Sequence, residues 1–363
     1  MKKILSLILA MAMLLSMGTA VFADANTVDE WDGTYDTTWY DSANPVKAYT
    51  IDSAEELAGL SKLIAEYDGT AKGDLFSNDT IFTLTTDIDL KNIPWTPIGP
   101  VVKDGKRTDR NSFNSSFDGG NHTISNLYVT GFAYAGLFGS TKSESFHGTI
   151  KNITINNATI EDTAPVDKAD KTGAGALIGR ANKYNIENCH VTGTVNVEGT
   201  RYVGGLIGHS YVNIEDCTVS GNGTINATSW DAGGLIGSHG VVDGSSIENC
   251  SVIGDAAEGG ITVTSPTGVG GAVGMLSNEK NLTVVADGLT VANVAVSGND
   301  YVAYIAAGYA ATNSSVANVT ATKTDGTEIE ADDATSVSVS VAKLTDKNGN
   351  ETYYTSLADA FAA

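Results

Sequence analysis

A six-residue pattern of alternating apolar and polar positions recurs along this chain. Each copy reads as a branched apolar residue, a variable residue, an asparagine, an apolar residue, a variable residue and usually a valine or isoleucine. Alternation with a period of two predicts β-strands. The central asparagine predicts a corner between two strands, because asparagine tolerates the left-handed backbone conformation. The central residues of the seven copies are Asn126, Asn152, Asn188, Asp216, Asn249, Asn293 and Asn318.

A second, glycine-flanked apolar block runs in step with the first. It reads Gly-Leu-Phe-Gly at 136–139, Gly-Ala-Leu-Ile-Gly at 175–179 and Gly-Gly-Leu-Ile-Gly at 204–208 and 233–237, and weaker copies lie at 270–274 and 304–308. One such unit cannot bury its apolar face alone, whereas stacked units share a continuous core. We therefore predict an all-β coil whose equivalent strands lie about 4.8 Å apart. The seven central residues should form one ladder along one edge of it.

Three further motifs occur in a fixed order upstream of these blocks. They are Asp-Ile-Asp-Leu at 87–90, Trp-Thr-Pro-Ile-Gly at 95–99 and Phe-Asp-Gly-Gly-Asn-His-Thr-Ile at 117–124. With the Gly-Gly-Leu-Ile-Gly blocks, they make the chain resemble the bacterial surface proteins that carry GLUG repeats, over roughly residues 49–321. The resemblance implies a right-handed parallel β-helix. It does not fix an activity, because such modules occur in adhesin-like proteins and also in large surface proteases.

Three cysteines, Cys189, Cys217 and Cys250, follow the central residue in consecutive copies. Other copies carry an apolar residue in the same slot, namely Leu127, Ile153, Val294 and Val319. We therefore predict buried free thiols that stack inward, because aligned neighbours on parallel strands rarely reach disulfide geometry. The alternative for a secreted protein is one disulfide and one leftover thiol.

The start of the chain predicts export and then a helix. Residues 1–23 join a short basic start, an apolar core and a small-residue cleavage site, which is typical of a secretory signal peptide. Residues 24–48 form an N-terminal segment, whose aromatic part we expect to pack around the next element or to stay loose. Ser53 and Glu56 then form a capping box, which predicts an amphipathic helix over 53–67. This N-terminal α-helical cap should cover the open end of the β-helix, which we place at 49–321.

Two other segments lie outside the repeats. Residues 103–111 carry several basic residues and are expected to form an exposed loop. Residues 322–363 are interpreted as a linker, a strand at 336–341 and, from 353, the opening of another helix. In similar surface proteins such a segment starts a further β-helix module, so we expect that module to be truncated here.

The formal net charge of −22 narrows the range of partners. A strongly acidic surface repels nucleic acid and anionic lipid, so we expect neither as a partner. After the signal peptide no stretch is long and apolar enough to predict membrane insertion. The expected location is extracellular or on the bacterial cell surface.

Signals for catalysis and for metal binding are weak. The histidines show no metal-ligand spacing and are expected at exposed or turn positions; they are His122, His147, His190, His209 and His239. The resemblance implies that Asp87 and Asp89 are a turn signature rather than a carboxylate pair. Residues 118–121 are interpreted as a tight turn rather than a calcium site. We therefore predict no cofactor, no metal and no enzymatic activity.

Two classes of function remain open. The first is an adhesin-like or spacer module whose partners are host or environmental glycans or surface proteins, with Tyr202, Tyr211 and Trp230 as exposed rings that stack on sugars. The alternative is an extracellular polysaccharide lyase or glycoside hydrolase on the same scaffold, which needs a basic residue or paired carboxylates beside a groove. Only Arg180 and Arg201 lie among the central repeats, so the first class is favoured.

Overall fold

The structure, a computed structural model, describes residues 28–67, 75–99, 102–103, 106–107, 111–142, 148–162, 172–240, 245–277, 285–299, 301–303, 315–317, 320–322, 342–345 and 351–354. Within these residues, one α-helix, α1, spans Ala54–Glu66, and a 3₁₀ turn spans Ala256–Glu258. The strands up to the middle of the chain are β1 Asp29–Glu30, β2 Ala48–Ile51, β3 Ile81–Leu84, β4 Ile88–Asp89, β5 Val102–Lys103, β6 Lys106–Arg107, β7 Ser116–Thr130, β8 Tyr134–Ala135, β9 Phe138–Ser140, β10 Gly148–Glu161, β11 Gly173–Ala174, β12 Ile178–Gly199, β13 Tyr202–Gly204, β14 Ile207–Glu215, β15 Thr218–Gly221 and β16 Gly223–Ala227. The later strands are β17 Asp231–Gly233, β18 Ile236–Gly240, β19 Ser246–Glu248, β20 Ser251–Gly254, β21 Ile261–Ser265, β22 Gly268–Gly270, β23 Val273–Ser277, β24 Val285–Asp287, β25 Thr290–Ala292, β26 Val294–Gly298, β27 Tyr301–Ala303, β28 Ser315–Ala317, β29 Thr320–Thr322, β30 Ala342–Thr345 and β31 Glu351–Tyr354.

The strands stack in parallel, turn upon turn, so the predicted all-β parallel β-helix is confirmed. One position of the turn is a six-stranded sheet formed by β8, β11, β13, β17, β22 and β27, which corresponds to six turns. Four more strand positions follow in each central turn and pair in parallel with their equivalents before and after. The long strands bend through several of these positions, as β12 does when it pairs with β14, β15 and β16.

A continuous apolar core fills the coil. Ile150, Ile186, Ile214 and Ile247 are fully buried and lie in register on β10, β12, β14 and β19. Burying a side chain of this size contributes about 1.5–3 kcal/mol relative to leaving it exposed. Repetition of the same residue in successive turns therefore supplies a stabilising column without any change in local backbone.

The cysteine prediction is confirmed. Cys189, Cys217 and Cys250 are free and buried, and the backbone N–H of Cys189 lies 3.5 Å from Cys217 Sγ. Each thiol also lies 3.1–3.4 Å from the carbonyl oxygen two residues earlier. Burial raises the pKa of the Cys217 thiol well above its usual range, which keeps it protonated.

The single predicted ladder of asparagines is wrong, because each turn has two left-handed corners. The first corner precedes β15 in one central turn and β20 in the next. It holds Asn152, Asn188, Asp216 and Asn249, with φ between +50° and +55°. Asn126 and Asn293 have the same backbone conformation but lie at the next corner. The register fixes this assignment, since Leu127 pairs with Ala158 and Val294 pairs with Ile261. Leu127 and Val294 therefore do not share the cysteine column, and Asn318 lies outside the described residues.

Side-chain amides connect successive turns at both corners. Asn188 Nδ2 donates to Asn152 Oδ1 at 2.9 Å, and Asn152 Nδ2 donates to Asp118 Oδ1 at 3.0 Å. At the second corner Asn126 Nδ2 donates to Asp89 Oδ1 at 2.8 Å. Each such bond contributes on the order of 1 kcal/mol net. The corners therefore add a polar ladder to the apolar one.

The glycine blocks are places where two backbones meet. A Cβ added to Gly205 would lie 2.2 Å from the carbonyl oxygen of Gly234 in the next turn. A Cβ added to Gly204 would lie 2.1 Å from the carbonyl oxygen of Ile207 in its own turn. Only residues without a side chain permit this approach, which explains why the block repeats with the coil.

An acidic column lies on the outside of the coil. Glu187 pairs with Glu215, Glu215 with Glu248, and Glu248 with Asp287. Like charges directly opposite one another on neighbouring strands destabilise a sheet. Repulsion within this column opposes stacking. The stabilisation from the buried apolar side chains and the backbone hydrogen bonds must therefore exceed it.

The predicted helix is present as α1. Ser53 Oγ accepts a hydrogen bond from Glu56 N at 3.2 Å, as expected of an N-cap. Glu56 reaches back one residue further than expected, to Asp52 N at 2.9 Å. Leu57, Leu60 and Ile64 form its buried face. The preceding segment packs closely on it, since a Cβ at Gly59 would lie 1.7 Å from the carbonyl oxygen of Asp36.

Several expectations outside the repeats need correction or lie beyond the described residues. The 103–111 segment is not a simple exposed loop, because β5 and β6 form an antiparallel hairpin and Asn111 is buried. Asn111 Nδ2 donates to the carbonyl oxygens of Ile64 and Tyr67, at the end of α1. Tyr353 and Tyr354 belong to β31, which pairs antiparallel with β30, and do not open a helix. The signal peptide at 1–23 and the strand at 336–341 lie outside the described residues.

The core column generates a stability prediction. Ile214→Asp places an unpaired charge in the coil and should cost more than about 4 kcal/mol. Ile253→Asp makes the same change at a position that is 41% exposed on β20, and should cost less than about 1 kcal/mol. Thermal and urea unfolding of both variants measure the difference. Equal losses would contradict the assignment of the stacked isoleucines as the core.

Candidate functional site

The three aromatic residues predicted to contact sugars lie in one cluster on neighbouring turns. Tyr202 begins β13, Tyr211 lies in β14, and Trp230 immediately precedes β17. His209 connects them, because its ring stacks on Tyr202 with centroids 4.5 Å apart and meets Tyr211 edge-on at 4.6 Å. Trp230 meets Tyr202 edge-on at 6.1 Å. We call these four residues and Arg201 the aromatic cluster.

The cluster presents one ring to solvent. Trp230 is 46% exposed, whereas Tyr202 is 6% exposed and Tyr211 is partly buried. The expectation that Tyr202 is an exposed ring is therefore wrong, because His209 and Trp230 cover it. The guanidinium carbon of Arg201 lies 5.3 Å from the centre of the Trp230 ring, within the range of a cation–π interaction. Arg201 and His209 are cluster members that the search for exposed aromatics missed.

Backbone hydrogen bonds hold the segment that carries Trp230. Thr228 N donates to Gly199 O at 2.9 Å, Ser229 N donates to Thr200 O at 3.0 Å, and Asp231 N donates to Arg201 O at 2.8 Å. Ser265 Oγ bonds to the carbonyl oxygen of Trp230 from the next turn. The segment is thus fixed to the turns on both sides, and a ligand on the indole would need to order little additional chain.

Two buried carboxyl groups hold the loops around the cluster. Asp231 Oδ1 accepts from Thr267 Oγ1 at 3.1 Å and from Gly268 N at 3.2 Å. Asp162 Oδ2 accepts from Thr200 N at 3.3 Å. Burial raises the pKa of each carboxyl to about 6, because the charged form loses its hydration. Each carboxyl bonds to the loop of the following turn, which is a structural role.

The two arginines of the central repeats lie against aromatic rings. Arg180 Cζ is 5.8 Å from the centre of the Tyr134 ring, and Arg201 faces Trp230. Arg180 also neighbours His209 across β12 and β14. Its Nε is buried and has no hydrogen-bond partner among the described residues.

Two histidines contradict the expectation of exposed or turn positions. His209 and His239 are buried, because the strand residues after the Gly-Leu-Ile-Gly blocks are enclosed. His239 Nδ1 lies 3.0 Å from Ser210 Oγ, and its Nε2 lies 3.3 Å from Ser245 Oγ. Burial lowers the pKa of His239 to about 4, so it is neutral near pH 7. Since His239 and Ser210 are both fully buried, a substrate cannot reach this serine–histidine pair.

The other histidines take part in local contacts. His122 Nδ1 lies 3.0 Å from Asp87 Oδ1, and His190 Nε2 lies 2.9 Å from Asn188 Oδ1. Burial lowers the pKa of His190. His147 lies outside the described residues.

The candidate acidic residues accept structural hydrogen bonds, Asp89 and Asp118 within tight turns and Asp87 from the next turn of the coil. Asp87 Oδ1 accepts from Thr123 N at 2.9 Å, and Asp89 Oδ1 accepts from Lys91 N at 2.8 Å. Asp118 Oδ1 accepts from Gly120 N at 3.0 Å. Across the part of the chain that the structure describes, no group of three or more His, Cys, Asp or Glu side chains is arranged to hold a metal ion. Within the same residues, no helix is both long and apolar enough to cross a membrane.

The buried carboxyl groups generate a prediction of pH dependence. Their folded-state pKa of about 6 lies above the unfolded value near 3.9, so the folded chain binds more protons between pH 4 and 6. Each group therefore lowers stability as the pH rises through this window. Asp231→Asn keeps an acceptor for Thr267 and should gain roughly 1–3 kcal/mol relative to the parent as the pH is raised from 4 to 7.

Urea unfolding of both proteins across this pH range measures the difference, and Asp162→Asn provides a parallel test. The comparison with the parent cancels the opposite effect of His239, whose pKa is lowered. A difference between the two proteins that does not vary with pH would contradict the assigned ionisation of Asp231.

Comparison with known proteins identifies the repeat. Residues 172–196 and 199–226 match the family description of the GLUG motif. The chain is 34% identical over 164 residues to Halomucin of Haloquadratum walsbyi, an alignment that covers 44% of this chain and 2% of that protein. A crystal structure from Bacteroides ovatus, described as an immunoglobulin A1 protease candidate, superposes with a TM-score of 0.55 at 20% identity. It covers 85% of this chain and 92% of its own, and at this identity the likeness shows the fold alone. Two consecutive segments of this parallel β-helix thus carry the GLUG motif.

Proposed function

We propose that this chain is a surface β-helix module that acts by binding a glycan through Trp230, and that it is not an enzyme. One observation carries the proposal: the indole of Trp230 is 46% exposed and contacts Arg201 and Tyr202. Its chain segment is held by backbone bonds to the preceding turn and by the bond from Ser265 Oγ of the following turn. An exposed and immobilised aromatic face is a suitable platform for the apolar face of a sugar ring.

The neighbouring side chains add polar and structural support. The guanidinium of Arg201 carries several N–H donors that could meet sugar hydroxyls beside the indole. Tyr202 supports Trp230 from below rather than contacting the sugar, since it is buried. A secondary contact between Tyr211 and the sugar remains a prediction, because Tyr211 belongs to the cluster through its contact with the His209 ring. The alternative partner is a surface protein that presents either a sugar or another rigid ring to Trp230.

Sequence and comparison support a location outside the cytoplasm. The signal-peptide pattern at 1–23 and the net charge of −22 favour an exported and soluble chain. The shared segment with Halomucin supports a surface role for the module. Mass spectrometry of protein recovered from the culture medium or the cell envelope would test export. A chain that begins at Met1 and stays in the cytoplasm would refute it.

Glycan binding is tested by a paired substitution. Trp230→Ala should weaken binding to the best glycan of an array by about tenfold, and should leave the melting temperature almost unchanged. Ile253→Ala is the matched control, because Ile253 is 41% exposed on an outward strand face elsewhere on the coil. Titration of the parent and both variants with that glycan measures the effect. Equal affinity in all three proteins would refute Trp230 as the contact.

A panel of acidic and neutral polysaccharides tests the alternative of a lyase or glycoside hydrolase. Incubation of these polysaccharides with the parent protein should produce neither new reducing ends nor unsaturated products. Turnover that disappears in Arg180→Ala or Arg201→Ala would overturn the non-enzymatic proposal. This assay is independent of binding, so a glycan that binds without turnover supports the proposal.

We also propose that α1 caps the first turn of the coil. Its apolar face is buried, and Ser61 Oγ donates to the carbonyl oxygens of Thr96 and Pro97, which belong to that turn. An uncovered end would expose unpaired strand groups that can pair with another chain. Leu60→Asp should unseat the helix and produce dimers or larger species by size-exclusion chromatography. A monomer with unchanged stability would refute the capping role.

A further inference from the structure

A cleft separates α1 from the first turn of the coil, far along the chain from the aromatic cluster. Its volume is about 310 Å³, at the lower end of small-ligand sites. Trp31, Tyr35 and Trp95 supply its aromatic surface, and Lys62 and Glu66 of α1 also line it. We propose that this cleft is a second binding site, and that it takes one unit of a neutral saccharide.

The aromatic residues form a wall with one accessible ring. Trp31 and Trp95 pack edge-on with centroids 5.4 Å apart, and both are largely buried. Trp95 Nε1 donates to Leu137 O at 3.1 Å, so its polar atom is already used within the coil. Tyr35 is 53% exposed. A ligand can therefore stack on Tyr35 within the cleft that the two indoles line.

The charged residues explain why the ligand should be neutral. Lys62 Nζ lies 2.6 Å from Glu66 Oε1 and 4.2 Å from the centre of the Tyr35 ring. The hydrogen bond to Glu66 and the contact with Tyr35 raise the pKa of Lys62, so the ammonium stays charged. The pair is locally neutral and offers both N–H donors and carboxylate acceptors, which matches sugar hydroxyls. An acidic sugar would meet Glu66 and a chain of net charge −22, whereas a cation would meet Lys62.

The site differs from the aromatic cluster in how its parts are positioned. Lys62 and Glu66 are one helical turn apart on α1, and Pro94 and Thr96 belong to the first turn of the coil. Ser61 ties the helix to that turn through the carbonyl oxygens of Thr96 and Pro97. The two sides of the cleft are thus held together before a ligand arrives, which lowers the ordering cost of binding.

Tryptophan fluorescence can report on this site because Trp31 and Trp95 line it. The chain has four tryptophans, and a Trp230→Ala background removes the indole of the aromatic cluster. In that background, we expect a saturable change in tryptophan fluorescence on titration with at least one of cellotetraose, mannotetraose and maltotetraose. Tyr35→Ala should weaken the affinity for that saccharide by about tenfold without changing the melting temperature, whereas Tyr35→Phe, the matched control, should retain the affinity.

Several outcomes would overturn this inference. They are the absence of any neutral tetrasaccharide that binds with a Kd below roughly 10 mM, equal affinity in Tyr35→Ala, and binding of tetragalacturonate as tightly as the neutral compounds. The same titrations on Tyr35→Ala with Trp230 intact report on the aromatic cluster alone. Failure of one site is therefore distinguishable from failure of the other.

Discussion

In-register stacking of parallel strands is the interaction on which every other feature of this protein depends. Each central turn forms backbone hydrogen bonds to the turn before it and the turn after it, and its side chains lie beside their own equivalents. Isoleucine therefore meets isoleucine, cysteine meets cysteine, and asparagine donates to asparagine. The gain from one substitution at such a position depends on the turns above and below, so the columns behave as units.

The same rule has a cost on the outside of the coil. It aligns Glu187, Glu215 and Glu248 as neighbours, although like charges at this spacing repel. It also encloses groups that prefer water, such as Asp162, Asp231 and His239, which respond by shifted pKa values. Stacking tolerates these groups because the neighbouring turn supplies hydrogen-bond partners for Asp231 and His239.

In each proposed site the exposed ring, Trp230 or Tyr35, lies outside the strands. Trp230 is on the short segment that connects one turn to the next, and this segment changes in sequence from turn to turn while the flanking strands repeat. The cleft lies between α1 and residues 94–96 of the coil. A regular coil offers repeated, nearly flat surfaces. The proposed recognition therefore uses segments that differ from the repeat and are anchored to it.

The sequence by itself determined the parts of the structure that follow from local backbone preference and from the alternation of side chains between the two faces of a strand. Alternating apolar residues indicated the strands, the asparagines indicated left-handed corners, and Ser53 with Glu56 indicated the start of α1. The buried free cysteines also followed from the repeat, because Ile153 occupies the same slot in the preceding copy.

Only the tertiary structure decided the register and the burial of polar side chains. Asn126 and Asn152 have the same local pattern and the same φ, yet they occupy different corners, because both corners need a left-handed residue followed by an inward apolar one. Tyr202 and His239 are buried because residues from other parts of the fold cover them. The aromatic cluster and the cleft each join residues that are far apart in the chain. No local sequence pattern encodes such a contact.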